Sequence, residues 1–217
     1  MARAYGMLVE GKWETGTETI SVIDKYSDEV IGTVPAAAKT DVERAIGAAA
    51  KAFPAYAQLP AHRRGKILAR TAELLEKYQE DIATMICREA GKAWKFSLLE
   101  VARAIETFQF AAEEAKRIHG ETVPMDASAG GENRMGFYIR TPVGVIGAIS
   151  PFNFPLNLVG HKVAPALAAG NTVVLKPATT TPLTAVRLGE ILMEAGLPDG
   201  VFNLVFGGGG TVGDWLV

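Results

Sequence analysis

The sequence contains little cysteine or histidine and no long apolar run. One cysteine among 217 residues excludes a disulfide framework and a cysteine-based zinc site, and three separated histidines argue against a histidine metal site. No stretch approaches the roughly 20 apolar residues that span a bilayer. Residues 1–16 hold no apolar segment of signal-peptide length. We therefore expect a cytoplasmic protein with no bound metal and no membrane partner.

Charge is scarce in one part of the chain. The formal net charge is −2, so no basic surplus indicates a nucleic-acid partner. Of the 46 charged residues (22 basic and 24 acidic), seven lie after Pro142, whereas 12 of the 23 glycines do. An apolar segment that glycines punctuate in this way is typical of strands buried on both faces. The sequence thus changes character near residue 142.

The N-terminal part begins with a predicted hairpin. Apolar and polar residues alternate in 19–23 and 29–34, on either side of Asp28, which predicts two short strands and a turn. A helix is then predicted, because Thr40 and Glu43 have the spacing of a capping box.

Further helices are predicted up to residue 118. Pro54 and Pro60 indicate a break, after which one long helix carries an apolar stripe and ends at Gly91; the stripe is Leu68, Ala72, Leu75, Ile82 and Ile86. Another helix is predicted from about 95 to 118, before His119 and Gly120. Residues 121–142 read as an extended segment that ends in a strand at 135–140.

The last third alternates strands and helices. Strands are predicted at 143–149, 172–175 and 201–205, and helices at 155–169, at 182–195 and from Thr211 onward. Short connections in this order indicate an α/β fold with an incomplete Rossmann-like parallel sheet and helices on both faces. We expect three parts: a hairpin and helices in residues 1–120, a strand segment at 121–142, and the first half of a nucleotide-binding βαβαβ domain at 143–217.

Ligands bind such sheets at the carboxyl ends of the strands, so three loops are candidates for a site. In the first loop, Asn153 either caps the next helix or directs its amide to a carbonyl oxygen that gains negative charge. In the second loop, Lys176 either bonds a carbonyl or an unseen carboxylate, or binds ribose hydroxyls or a phosphate. The third loop, 207–213, is either a flexible glycine-rich connection or a close approach to a flat ligand. It lacks the G-x-G-x-x-G fingerprint after a first strand.

Three further sets of residues each have two possible roles. Asn153, Asn157 and His161 have helical spacing and form either a solvated face or the polar wall of a substrate channel. Lys162 is either a surface charge or a catalytic proton relay. Cys87 lies within a predicted helix without a neighbouring histidine, which favours a structural thiol over a nucleophile.

Several motifs make the sequence recognisable. Residues 141–155 read TPVGVIGAISPFNFP, residues 165–171 read PALAAGN, and residues 176–178 read KPA. In this order they closely resemble the NAD(P)-dependent aldehyde dehydrogenase superfamily, as do EAGK at 89–92 and EAGLPDGV at 194–201. The sequence HGET at 119–122 is similar to the branch that contains lactaldehyde and non-phosphorylating glyceraldehyde-3-phosphate dehydrogenases. The resemblance covers essentially the whole chain.

The resemblance implies roles for individual residues. Asn153 matches the oxyanion-hole asparagine, and the aldehyde tunnel would be lined by Phe154, Leu158 and His161. Residues matching the NAD or NADP site are Ile149, Ser150, Pro151, Phe152, Lys176, Pro177, Ala178, Thr179, Gly209, Gly210 and Gly213. A neutral Thr179, where a glutamate is common in NAD-preferring members, predicts that NADP is tolerated. Residues 135–142 match part of a hairpin that pairs members into homodimers or homotetramers.

The resemblance also implies a missing part. In the family, the nucleophilic cysteine and the general-base glutamate follow the region that corresponds to residues 1–217. We therefore expect the N-terminal portion of an enzyme that oxidises a small hydroxylated or phosphorylated aldehyde through a thiohemiacetal, inactive by itself, with an unpaired strand edge. The alternative is a short protein that binds a nucleotide or oligomerises without redox chemistry.

Overall fold

A computed structural model describes residues 3–217. Its strands are β1 (Arg3–Ala4), β2 (Met7–Val9), β3 (Lys12–Glu14), β4 (Thr19–Ile23), β5 (Val30–Pro35), β6 (Glu121–Val123), β7 (Gly136–Tyr138), β8 (Val145–Ile149), β9 (Thr172–Lys176) and β10 (Phe202–Leu204). Its α-helices are α1 (Lys39–Ala57), α2 (Ala61–Lys77), α3 (Gln79–Ala90), α4 (Trp94–Glu114), α5 (Asn157–Ala168), α6 (Leu183–Glu194) and α7 (Asp214–Leu216). The α/β class predicted from the sequence is confirmed.

The central sheet has the strand order β3-β2-β10-β9-β8. Strands β8, β9 and β10 are parallel, as predicted, whereas β2 is antiparallel to β10 and pairs Leu8 with Leu204. All five residues of β9 are buried, because α1 and α5 pack against this central strand. In the described residues β8 forms one edge of the sheet and β3 the other.

The N-terminal strands contain more than the predicted hairpin. Strands β4 and β5 pair antiparallel around Asp28, whose φ is 58°, so the predicted hairpin is present. Strands β2 and β3, which join the central sheet, were not predicted from the sequence. Each of these strands has only three residues, which is too short to show a strand pattern. Strand β2 is also buried on both faces and therefore lacks an alternation of apolar and polar residues.

The start and the proline of α1 differ from expectation. The helix begins after Ala38, and a carboxylate oxygen of Asp41 accepts the Ala38 N–H at 2.9 Å. Thr40 and Glu43 therefore do not form the predicted capping box. Pro54 lies inside α1 rather than at a break.

The predicted long helix before Gly91 is two helices. Tyr78 leaves helical geometry (φ −104°, ψ 17°) and separates α2 from α3. Gly91 ends α3 in the left-handed region (φ 66°), as the sequence indicates. Helix α4 packs against α2, α3 and α5, so the helical part and the sheet share one continuous core.

Residues 121–142 contain a separate two-stranded sheet. Strands β6 and β7 pair antiparallel, with Glu121 opposite Tyr138. Several large apolar side chains here are exposed, including Phe137 (69%) and Ile139 (70%). The three-part division of the chain stays a prediction. None of the helices in residues 3–217 is both long and apolar enough to cross a membrane.

Candidate active site

Three candidate loops meet at the carboxyl edge of the parallel strands. The register places Ile149 opposite Lys176, and the Ser150 N–H donates to the Lys176 carbonyl at 3.2 Å. The ammonium of Lys176 in turn donates to the Gly207 carbonyl, which belongs to the third loop. The first turns after β8, β9 and β10 are therefore neighbours, as parallel strands require.

Lys176 is a buried cation that binds main-chain carbonyls. It is 3% exposed, and Nζ donates to the carbonyl oxygens of Pro177 (3.0 Å) and Gly207 (3.1 Å). No carboxylate pairs with it among residues 3–217. Burial lowers the pKa of this ammonium. Since an ammonium has three N–H groups, one donor remains for a ligand.

The loop around Lys176 is uncharged and rich in glycine. Thr179 donates its hydroxyl to the Gly207 carbonyl at 2.8 Å. A side chain at Gly209 or Gly210 would meet no atom within 4 Å, whereas one at Gly213 would touch Lys176 Cε at 3.8 Å. Main chain at Gly209 and Gly210 therefore borders open space, which a flat ligand can approach closely.

An apolar surface lies at the end of β8. Ile149 is 41% exposed and Phe152 is 64% exposed, with Pro151 exposed between Ser150 and Phe152. The Ser150 hydroxyl and that of Thr181 are buried without a hydrogen-bond partner in the described structure.

Asn153 does not cap a helix. It is exposed, and its side-chain amide makes no hydrogen bond within residues 3–217. Helix α5 begins at Asn157, four positions later, so Asn153 is part of the loop and not of a helical stripe. The cap interpretation is therefore wrong, and the amide is free to bind a ligand oxygen.

Two charged residues bind the loop of residues 150–156, which we call the Asn153 loop. Neither was predicted from the sequence. Glu100 of α4 accepts the N–H groups of Leu156 (2.9 Å) and Asn157 (3.2 Å), and so caps α5. Lys92 pairs with Glu100, donates to the Asn153 carbonyl at 2.8 Å and lies 3.9 Å from the centre of the Phe154 ring. The Lys92–Glu100 ion pair thus binds both the N-terminus of α5 and the main chain at Asn153.

A second buried carboxylate caps α6 in the same way. Glu89 of α3 accepts the N–H groups of Leu183 (2.7 Å) and Thr184 (2.9 Å) and the Thr184 hydroxyl. Loss of hydration outweighs these bonds and raises the pKa of Glu89 to about 7. A sequence signal existed: Glu89 follows Ile82 and Ile86 on one apolar stripe, where a solvated charge is not expected.

The expected substrate-lining residues lie just before α5 and in its first half. Phe154 and Leu158 are half-buried, and His161 and Lys162 are exposed. His161 borders an open groove of about 440 Å³ between α4 and α5. Asn157, by contrast, is buried, and its amide oxygen accepts a hydrogen bond from the Thr107 hydroxyl. The predicted polar stripe is therefore not one continuous surface.

Cys87 belongs to the helical packing. It is half-buried in α3, and its Sγ lies 3.3 Å from the Ser97 hydroxyl on α4. No histidine or acidic cluster that would suit a metal is present in the part of the chain that the structure describes.

Comparisons with known proteins agree with this geometry. The model of the aldehyde dehydrogenase family matches residues 13–217. A 3-sulfolactaldehyde dehydrogenase from Priestia aryabhattai is 46% identical over 215 residues, which are 99% of this chain and 45% of that protein. A lactaldehyde dehydrogenase from Methanocaldococcus jannaschii is 40% identical over 97% of this chain and 45% of its own length.

A solved structure shows the same fold. The NADP-dependent glyceraldehyde-3-phosphate dehydrogenase from Bacillus halodurans C-125, complexed with NADP, superposes with a TM-score of 0.95 at 38% identity. The match covers 100% of this chain and 46% of that one, so the chain spans less than half the length of the relatives it matches. The resemblance that the sequence predicts is confirmed, and this chain belongs to the aldehyde dehydrogenase family.

Proposed function

We propose that this chain is the N-terminal, cofactor-binding portion of an enzyme that oxidises a small aldehyde to its acid with NAD or NADP. One observation carries the proposal: the free amide of Asn153 and the buried Lys176 are on adjacent turns at the carboxyl ends of the parallel strands β8 and β9. Such an edge holds a dinucleotide and a reacting carbonyl close together.

The residues at this edge fit a dinucleotide. Lys176 has one N–H to offer to ribose hydroxyls, Gly209 and Gly210 leave space for a flat base, and Ile149 offers apolar surface to the nicotinamide. When bound, the cofactor accepts a hydride. Thr179 carries no charge that would repel a 2′-phosphate, so both NAD and NADP are accommodated, with Pro151, Phe152, Pro177, Ala178 and Gly213 along the same surface.

Asn153 has the chemistry of an oxyanion donor. A cysteine thiolate outside residues 1–217 would attack the aldehyde carbon, and the carbonyl oxygen would gain negative charge in the thiohemiacetal. The Asn153 amide would donate to that oxygen. Lys162 is proposed as a nearby proton carrier, and Phe154, Leu158 and His161 as the lining of the aldehyde tunnel.

The substrate is proposed to carry hydroxyl groups and an anionic group. Arg103 is exposed on α4, its guanidinium carbon lies 5.9 Å from the centre of the Phe154 ring, and it forms no ion pair within residues 3–217. A free guanidinium near the Phe154 ring suits a phosphate, sulfonate or carboxylate. The names of the relatives, which include sulfolactaldehyde and glyceraldehyde-3-phosphate enzymes, support this class.

The activity, assembly and location of the whole protein are also proposed. These 217 residues by themselves are expected to be inactive, because the single cysteine, Cys87, is packed against Ser97. The exposed apolar side chains of residues 135–142 are proposed to pair copies into a homodimer or homotetramer. A single cysteine agrees with a reducing compartment, the cytoplasm.

The test is steady-state turnover by the protein with all the polypeptide that follows Val217. Asn153→Ala should lower kcat by roughly 10²–10³, the scale of one oxyanion donor. Gln79→Ala, at an exposed position on α3, is the control and should leave kcat unchanged. An unchanged kcat in Asn153→Ala would refute the proposed role.

The anionic group is tested with two aldehydes. Arg103→Leu should raise KM for glyceraldehyde 3-phosphate by roughly 10-fold or more, since charged hydrogen bonds contribute about 1.5–3 kcal/mol. KM for uncharged lactaldehyde should not change. Arg63→Leu, on the exposed face of α2, is the control. Equal effects on both aldehydes would exclude recognition of an anion by Arg103.

A further inference from the structure

An ion pair that the family resemblance did not predict lies directly against the Asn153 loop. The Glu100 side chain is fully buried and that of Lys92 is 16% exposed. Lys92 comes from the connection between α3 and α4, and Glu100 from the second turn of α4. Neither residue is part of the sheet edge that forms the proposed site.

The hydrogen bonds that these two side chains make, other than to each other, all go to the main chain of residues 153–157. Lys92 donates to the Asn153 carbonyl at 2.8 Å and lies 3.9 Å from the centre of the Phe154 ring. Glu100 accepts the N–H groups of Leu156 and Asn157 through one carboxylate oxygen and binds Lys92 through the other. The two charges therefore fix the main chain at Asn153, through its carbonyl, and at the start of α5, through two amides.

Stability alone is a weak reason for such a pair. Burial of two charges costs hydration that their attraction recovers only when further hydrogen bonds use their remaining capacity. Here those further bonds all go to one short loop. A preorganised donor must be held to within about 0.5 Å of its productive position by groups that do not themselves react.

We propose that Lys92 and Glu100 are positioning residues for Asn153. They hold the main chain at Asn153 and at Leu156 and Asn157, so that the amide points to the carbonyl oxygen of the aldehyde before the reaction begins. This inference rests on the proposed function, because it assigns Asn153 the oxyanion role. Lys92 and Glu100 act through Asn153 and do not touch the substrate.

The experiment is a double-mutant cycle in the protein with all the polypeptide that follows Val217. The probes are lactaldehyde and NADP⁺, and the readouts are kcat, KM and the melting temperature. Lys92→Met keeps the aliphatic stem over the Phe154 ring and removes the charge. It should lower kcat about 10-fold to 100-fold without a change in KM, because the lost interaction matters in the transition state.

Rescue and a matched control complete the first half of the cycle. Lys92→Arg keeps the charge and should retain more of kcat than Lys92→Met. Lys51 forms an exposed ion pair with Glu10 far from the loop in the fold, on α1, and Lys51→Met should leave kcat unchanged. Wild-type kcat in Lys92→Met, or equal losses in Lys92→Arg and Lys92→Met, would overturn the proposal.

The second half of the cycle separates positioning from a merely structural role. In the Asn153→Ala background, Lys92→Met should lower kcat no further, because the group it positions is gone. Multiplicative losses would overturn the inference and leave the proposed function standing. An unaffected kcat in Asn153→Ala alone would refute the proposed function itself. If Lys92→Met does not fold, Glu100→Gln in the two backgrounds decides by the same comparison.

Discussion

The buried carboxylate of Glu89 should make the stability of the protein depend on pH. Burial raises the pKa of Glu89 from 4.5 to about 7 in the folded protein, against the opposing hydrogen bonds from Thr184 and Leu183. The unfolded chain keeps the ordinary pKa. Between the two values the folded state binds a proton that the unfolded state has released.

The sign and the magnitude follow from this difference. The contribution is fully present below pH 4.5 and is lost as pH rises through 7, so the free energy of unfolding falls with increasing pH. Because one pH unit corresponds to 1.36 kcal/mol, the difference between 4.5 and about 7 is worth about 3 kcal/mol.

The assay compares urea unfolding of the wild type and Glu89→Gln from pH 4.5 to pH 8. A glutamine has the same shape and does not titrate, so the other ionisable groups cancel in the difference. The advantage of glutamic acid over glutamine should shrink by about 3 kcal/mol across this range. Glu76→Gln is the control, since Glu76 is exposed and unpaired within residues 3–217.

Two results would refute this reasoning. A difference between wild type and Glu89→Gln that is independent of pH would show that the pKa is the same in both states. A difference that grows with pH would show that the three hydrogen bonds outweigh the loss of hydration, and that the carboxylate is ionised in the folded protein.

Three further changes have defined outcomes. Thr179→Glu should reduce the ratio of kcat/KM with NADP to that with NAD about 10-fold, by repulsion of the 2′-phosphate; an unaltered ratio would exclude contact with that phosphate. Cys87→Ala should leave turnover of the whole enzyme intact, and lost turnover would contradict a structural thiol. Gly91→Ala should lower the free energy of unfolding by about 1–2 kcal/mol, because φ is 66° and the new Cβ would lie 3.0 Å from Lys25 Cβ; thermal unfolding checks this.

Local sequence patterns correctly predict the elements that are determined by residues close together in the chain. Strand β9 is buried on both faces and begins with three β-branched residues, Thr172–Val174, and the glycine at position 91 marks the end of α3. The order of strands and helices after residue 142 then leaves few topologies, since crossovers between parallel strands are right-handed.

The parts that were missed depend on distant partners. Strand β2 exists because Leu8 meets Leu204, and no short window of sequence contains that pairing. The Asn153 loop was located by its motif, but the residues that hold it, Lys92 and Glu100, were not. Charged residues usually face water, and only the tertiary structure shows that Glu100 is fully buried and paired with Lys92.

The pairing of β2 with β10 has a consequence for synthesis. Met7, Leu8 and Val9 are synthesised long before their partner strand, Phe202–Leu204. All three side chains end almost completely buried, at 1–3% exposure. Until Phe202–Leu204 has been synthesised, these apolar side chains lack the strand that buries them, and only slow closure of a very long loop, or a chaperone, keeps them from other chains.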